Sequence, residues 1–274
     1  RVHSYLEERR ERVLSGKINC IPWGLPTFEL DVPGIERGKY YCITGNQKSG
    51  KSQLANYLFL YNPIKYAIEN PGKLKLKIFY FTLEISVEQI YQQYMSFLLY
   101  TLSGGKIRIS PKDLRSTSMD KPLSPEILEI LKGEEYIKHM EYLETHVEFI
   151  DSISNPFGIF KMMRDYANNN GIQHRKIIEI KDNEGNIKEK VEVDDYYEPY
   201  NPEEYVMCIV DHVSLINPEK NSDLRNSIIK LSSDYFVKIR NKYGYIPVLI
   251  QQQAAAQEGV ENLRAGKLRP SADG

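Results

Sequence analysis

The sequence predicts an α/β protein built on a mostly parallel central sheet, with a β-hairpin inserted late in the chain. Three observations carry this. Short runs that are almost wholly apolar recur at residues 39–43, 76–83, 206–210 and 246–250. Strands read this way when a parallel sheet is covered by helices on both faces. Helix-compatible stretches lie between these runs, and such alternation specifies crossovers packed back onto the sheet. Polar residues then stand at or just beyond the strand ends, at Gly45, Glu84, Asp211 and Gln253, where open parallel sheets gather ligands.

Taken in order, residues 2–14 are charged and helix-compatible, with Val2, Tyr5, Leu6, Val13 and Leu14 near one stripe and Glu8 four residues before Arg12. Gly16 suits a helix stop. A connector marked by proline and glycine, residues 21–38, leads to the strand at 39–43 and then to a helix beginning near Gln53. After the second strand, Ser86 is placed to cap a helix running to about Leu102, with Glu88 and Gln89 in its first turn. A polar region follows, and within it a single helix is expected over 125–143. Residues 146–150 read as a third strand and 155–169 as the helix returning from it.

At 175–193 the pattern changes to alternation, with Ile178 and Ile180, a polar turn, then Ile187, Val191 and Val193 separated by charges. That is a hairpin signature. The acidic, tyrosine-rich segment 194–205 reads as a solvated connector, with a partner-docking loop as the alternative. Residues 206–210 form a strand ending in Asp211, residues 221–243 a long helix, and residues 246–250 a last buried strand that opens into Gln251, Gln252 and Gln253.

The totals exclude several classes of protein. A chain of 274 residues that is 41% hydrophobic can bury one substantial core. Its 36 basic and 37 acidic residues leave a net charge of -1, so any contact with nucleic acid must be local rather than the work of a global field. Cys20, Cys42 and Cys208 show no C-x-x-C spacing. An odd count so spaced argues against a disulfide framework or a zinc site. Cys42 and Cys208 fall in predicted buried strands and are read as packing residues. No run of about 18 apolar residues occurs, so a cytosolic location without a membrane span is expected.

The chemistry begins at residues 45–52, GNQKSGKS, which complete the pattern G-x-x-x-x-G-K-S between a strand and a helix. In Gly45, Asn46, Gln47, Lys48, Ser49 and Gly50 the glycines let successive backbone N–H groups converge on phosphates. Lys51 adds positive charge, the Ser52 hydroxyl suits Mg²⁺, and the helix opening at Gln53 contributes its positive end. Nucleoside triphosphate binding, with ATP and Mg²⁺, is the reading. Hydrolysis needs a phosphate cradle, a metal and a group that handles water. Asp211 is the metal carboxylate. His212, where many such enzymes place a glutamate, is read as a strand-end residue, so the base must come from elsewhere, and Glu84 is the best candidate. Gln253 is read as a polar contact that senses the terminal phosphate.

Together these segments resemble the ATPase domain of DnaB-like replicative helicases, within the RecA-like fold. IPWGLPTFEL at 21–30 is similar to that family's opening motif, GNQKSGKS to its Walker A loop, and FTLEISVEQ at 81–89 to its S-L-E-M-S-x-E-Q. Residues 149–167 resemble the strand and helix before Walker B, VDHVSLI at 210–216 its I-D-Y-L-Q-L, and IPVLIQQQ at 246–253 its P-V-x-x-L-S-Q. LRPSADG at 268–274 is similar to the start of its R-P-x-x-S-D-L-R-E-S-G.

The resemblance implies a RecA-like P-loop NTPase with a mostly parallel central sheet, carrying an insertion at about 174–205 within a domain spanning 17–274. It implies a homo-oligomeric ring, usually a hexamer, that moves along single-stranded DNA with ATP bound between neighbours. By motif position it makes Glu84 the catalytic glutamate, Asp211 the Mg²⁺-associated acid and Gln253 the sensor. Residues 1–16 become a linker-type helix that docks on an adjacent subunit. Lys220, Arg225, Arg264, Lys267 and Arg269, on the loops after Asp211 and Gln253, become candidate DNA phosphate contacts. Three features depart from the family. Its N-terminal helical domain is not in the sequence, Ala254 to Ala256 replace its polar residues after the sensor, and the sequence stops inside the last motif, so the C-terminal part of the domain is expected to lie outside it. Two other readings stand beside the helicase. One is a RecA-type recombinase or strand-annealing ATPase, and the other is a nucleotide-binding assembly protein whose inserted hairpin meets a replication or assembly partner.

Overall fold

The computed structural model describes residues 2–116, 122–181 and 187–252. Its strands are β1 (Ile21–Pro22), β2 (Gly34–Ile35), β3 (Tyr41–Gly45), β4 (Lys75–Thr82), β5 (Val147–Ile150), β6 (Gly171–Lys181), β7 (Ile187–Pro199), β8 (Glu204–Asp211) and β9 (Ile246–Gln252). Five of them form one parallel sheet in the order β3-β9-β8-β4-β5. The expected α/β class and the parallel sheet are both present.

Side chains alternate across this sheet and build two cores. On β4, Leu76, Ile78 and Tyr80 face one side while Phe79 and Phe81 face the other, and β8 repeats the division with Tyr205, Met207 and Ile209 against Val206, Cys208 and Val210. The first core is closed by the helical run after the phosphate loop, through Ala55, Leu58, Phe59 and Leu60, and by Trp23. The second is closed by the helices carrying Met163 and Phe236. Each fully buried aliphatic side chain contributes about 1.5–3 kcal/mol of hydrophobic stabilisation.

Several expected elements differ in detail. The single helix at 125–143 is two helices, Pro125–Leu131 and Glu134–His146, because Gly133 has an extended ψ of 144° and serves as the cap of the second. The short helix Pro111–Leu114 precedes them, capped by Ser110. The segment 194–205, expected as a solvated connector, is instead strand as far as Pro199: β6 and β7 pair antiparallel as the expected hairpin, and residues 194–199 are the base of β7, opposite Gly171 to Arg175. Its tyrosines explain the difference: Tyr197 Oη donates to Ala167 O at 3.0 Å and lies against Gly171, where a Cβ would meet the ring at 2.4 Å. Cys42, expected to be buried, is exposed, because β3 pairs only with β9 and is an edge among the described residues. The late helix begins at Leu224 behind the capping side chain of Asp223 and passes through a π-helical turn, Lys230–Tyr235, before ending at Gly244.

The N-terminal helix Val2–Leu14 is held to its own chain by its polar side. Arg12 grips Glu203 at the foot of β8 with both guanidinium nitrogens, at 3.0 and 2.6 Å, and Arg9 reaches Glu36 at 2.8 Å. Tyr5, Leu6, Val13 and Leu14 are exposed.

Candidate nucleotide site

The phosphate loop leaves β3 at Gly45 and enters the helix at Lys51. Two residues in it adopt left-handed backbone, Lys48 at φ 59° and Gly50 at φ 86°, the kind of local turn from which backbone anion nests are built, and Ser49 N donates back to Asn46 O at 3.2 Å. Gly45 leaves room for the loop's own side chains, since a Cβ there would lie 2.8 Å from Ser49 Oγ and 3.2 Å from the Lys51 stem. Lys51 Nζ donates to Asn46 O at 2.6 Å, folding back over the loop. Asn46, Gln47, Lys48, Ser49 and Gln53 are exposed along it.

Sheet register delivers the acids. Thr82, the last residue of β4, stands opposite Asp211, the last of β8. Asp211 therefore shares its face with Tyr205, Met207 and Ile209, the face covered by the phosphate-loop helix. Ser52 Oγ donates to Asp211 Oδ1 at 3.2 Å. Asp211 is 1% exposed; burial pushes its carboxyl up from the ordinary range, opposed by hydrogen bonds from Ser52 and Tyr80. A buried acid beside a serine hydroxyl fits a hard cation such as Mg²⁺, which takes one or two protein oxygens and completes its shell from phosphates and water. No group of three or more His, Cys, Asp or Glu side chains placed to cage a metal occurs among the described residues.

Glu84 stands two residues beyond β4 at the same edge of the sheet, with its side chain half exposed. Leu83 N donates to Asp211 O at 2.9 Å, tying this turn to the end of β8. His212 Nε2 lies 3.6 Å from Glu84 Oε2, while His212 Nδ1 is buried without a partner. The expected cap behind Glu84 is present as a reciprocal box, in which Ser86 accepts from Gln89 N and the Gln89 side chain accepts from Ser86 N.

The fold thus brings together Gly45 to Gln53, Glu84 and Asp211. Lys220 and Arg225 are exposed on the segment that follows β8. Gln253, Arg264, Lys267 and Arg269 lie outside the described residues, as does the segment 268–274. Sequence reading missed two side chains that touch the site. Tyr80, inside an apolar run, carried no signal, whereas Asn56, a polar residue on the apolar face of the phosphate-loop helix, did carry one.

A phosphate nest at the end of one parallel strand, with acids at the ends of the strands two and three positions away, defines a RecA-like nucleotide-binding fold. Among solved structures the chain is similar to a DnaB-like replicative helicase described with its interactions with primase, at 13% identity and a TM-score of 0.58 over 94% of this chain and 50% of that one. It is equally similar to a second solved structure, described as an ATPase domain, at 13% identity and a TM-score of 0.58, covering 100% of this chain and 76% of that one. The chain spans half the length of the first of these proteins, and at such identities the likeness establishes the fold. No protein-family model matches the sequence, and no curated protein does so. No helix of the described residues is long and apolar enough to cross a membrane.

Proposed function

We propose that the chain is the motor domain of an ATP-dependent DNA helicase, hydrolysing ATP to move along single-stranded DNA. The observation that carries the reading is the contact between Ser52 and Asp211 at the mouth of a complete phosphate loop, with Glu84 on the neighbouring strand end. The backbone amides from Asn46 to Ser52 and the Lys51 ammonium bind the phosphates. Ser52 and Asp211 would hold Mg²⁺, which when bound offsets the charge that develops on the transferred phosphoryl group. Glu84 orients and deprotonates the attacking water, and His212 beside it limits where the carboxylate can turn. Gln253 senses the terminal phosphate, and Lys220, Arg225, Arg264, Lys267 and Arg269 contact DNA phosphates.

The assembly is a homo-oligomeric ring, with the exposed apolar residues of the helix Val2–Leu14 covered by an adjacent subunit. Removing those residues from water is favourable in proportion to their apolar area, and their exposure on a helix already clamped by Arg9 and Arg12 is what supports this part. The hairpin β6–β7 is the surface for a replication or assembly partner, since Ile177, Ile178, Ile180 and Ile187 are all exposed on it.

Steady-state ATPase with and without single-stranded DNA, run beside strand displacement from a forked duplex, tests the proposal. DNA-stimulated turnover with unwinding is expected. Stimulation without unwinding would turn the reading to a recombinase or annealing ATPase, and nucleotide binding without stimulated turnover to an assembly protein.

A further inference from the structure

Asp211 is held from behind as well as from the phosphate loop. Tyr80 Oη lies 3.1 Å from Asp211 Oδ2 and 2.8 Å from Asn56 Oδ1, and all three residues are buried. Asn56 Nδ2 donates to Gln93 Oε1 at 3.2 Å, and the Tyr61 hydroxyl bears on the same oxygen at 3.4 Å. A chain of four side chains therefore runs from the carboxylate to Gln93 and Tyr61, which line an open cleft together with Phe97, Tyr100 and Arg108.

A phenol has one hydrogen, so Tyr80 cannot donate to Asn56 and Asp211 at once. Turning the Asn56 amide by half a revolution exchanges its nitrogen and oxygen. Asn56 then donates to Tyr80, Tyr80 donates to Asp211, and a matching turn of Gln93 keeps the last pair satisfied. With an ionised carboxylate, each pair from Asp211 through Tyr80 and Asn56 to Gln93 then joins a donor to an acceptor, with the Tyr61 hydroxyl accepting from the turned Gln93 amide, and unmatched buried groups are costly.

We propose that Tyr80 is a positioning residue for the metal carboxylate: its hydroxyl, aligned by Asn56 and Gln93, pins Oδ2 of Asp211 so that Oδ1 stays beside Ser52. The assignment rests on the nucleotide-site reading above. Its placement is economical in structural terms. Asn56 stands four residues after Ser52 on the phosphate-loop helix, and Gln93 is on the helix that follows Glu84. One chain of hydrogen bonds thus ties the carboxylate to two helices, the one that carries Ser52 and the one that follows Glu84.

The test is Mn²⁺ binding to the ADP-saturated protein, followed by electron paramagnetic resonance, for the wild type and Tyr80→Phe. The ring, packed 5.7 Å from Phe149, is kept and only the hydroxyl is lost. The Mn²⁺ dissociation constant should rise about tenfold, the effect of one hydrogen bond to a charged group, while ADP affinity in EDTA stays unchanged. An unchanged Mn²⁺ constant in the folded variant overturns the assignment. A second measurement spares the hydroxyl: with 3-fluorotyrosine at position 80, the ¹⁹F resonance should move when Mg²⁺ is added to the ADP-saturated protein, and a stationary resonance overturns the assignment as well. Wild-type protein that binds no Mn²⁺ with ADP would overturn the nucleotide-site reading itself, and this assignment with it.

Discussion

Ser52 and Asp211 are 159 residues apart in the chain, yet the serine hydroxyl donates to the carboxylate at 3.2 Å. This contact closes the site, and it exists because β3, β9, β8 and β4 are adjacent in one sheet with their carboxyl ends at one edge. Asp211 is ionisable, buried and without a cationic side chain among its hydrogen-bond partners. Its environment therefore makes it a cost to the folded chain until something positive binds.

That cost gives a first prediction. Burial holds the Asp211 carboxyl above its unfolded value, so its contribution favours folding below the unfolded value of about 3.9 and is lost as pH rises through the higher folded value. Asp211→Asn should therefore be more stable than wild type at neutral pH, by on the order of 1 kcal/mol or a few degrees in Tm. The gap should close as pH falls toward about 4. Thermal unfolding between pH 4 and 8 checks this, and a gap independent of pH would refute it.

Glu84→Gln keeps the shape and hydrogen-bonding reach of the side chain but removes the proposed base. Turnover should fall by about 10²–10⁴-fold with nucleotide affinity retained. Single-turnover hydrolysis beside fluorescent ADP binding separates the two, and wild-type turnover in this variant would remove Glu84 from the chemistry.

Arg12→Ala should release the helix Val2–Leu14 from the domain without unfolding the rest. The bidentate contact with Glu203 is largely enclosed, and the Arg12 hydrogen bond holds that carboxyl below its usual range. The contact's contribution is present above the unfolded carboxylate value of about 4.3 and is lost as pH falls through the lower folded value. Limited proteolysis should cut before residue 17 several times faster in the variant at pH 7, a difference that narrows in acid. Equal cleavage rates at pH 7 would show that other contacts hold the helix.

Gly34→Ala tests the β1–β2 pairing that supports Trp23. An added Cβ would stand 2.1 Å from Ile21 O, and backbone cannot yield as a side-chain end can. A loss of about 1–3 kcal/mol is expected, read as a lower urea midpoint. Trp23, the single tryptophan and 2% exposed, reports the same transition by fluorescence.

Much of this protein was legible in order along the chain. Residues 45–52 spell a phosphate loop within eight positions: Gly50 supplies a left-handed turn, Gly45 leaves room beside the Ser49 and Lys51 side chains, and Lys51 and Ser52 follow at once. Ser86 and Gln89 specify a capping box within four residues, and the apolar runs specify strands buried on both faces. These are short-range effects, and sequence carries short-range effects directly. Asp211 and Glu84 could be placed at strand ends for the same reason.

The tertiary structure decided what lies across the sheet. Which strands become neighbours is set by the pairing order β3-β9-β8-β4-β5, which no local pattern encodes, and from it follow the contact of Ser52 with Asp211 and the approach of His212 to Glu84. Tyr80 shows the limit most clearly. Within the run KLKIFYFT it reads as one more apolar strand residue, and its hydroxyl acquires a role only because the parallel register seats Tyr80 opposite Ile209, two residues before Asp211. Glycine spacing, caps and apolar periodicity act over a few residues and were fixed by the sequence itself, whereas a hydrogen bond between side chains more than a hundred residues apart depends on the whole sheet having formed.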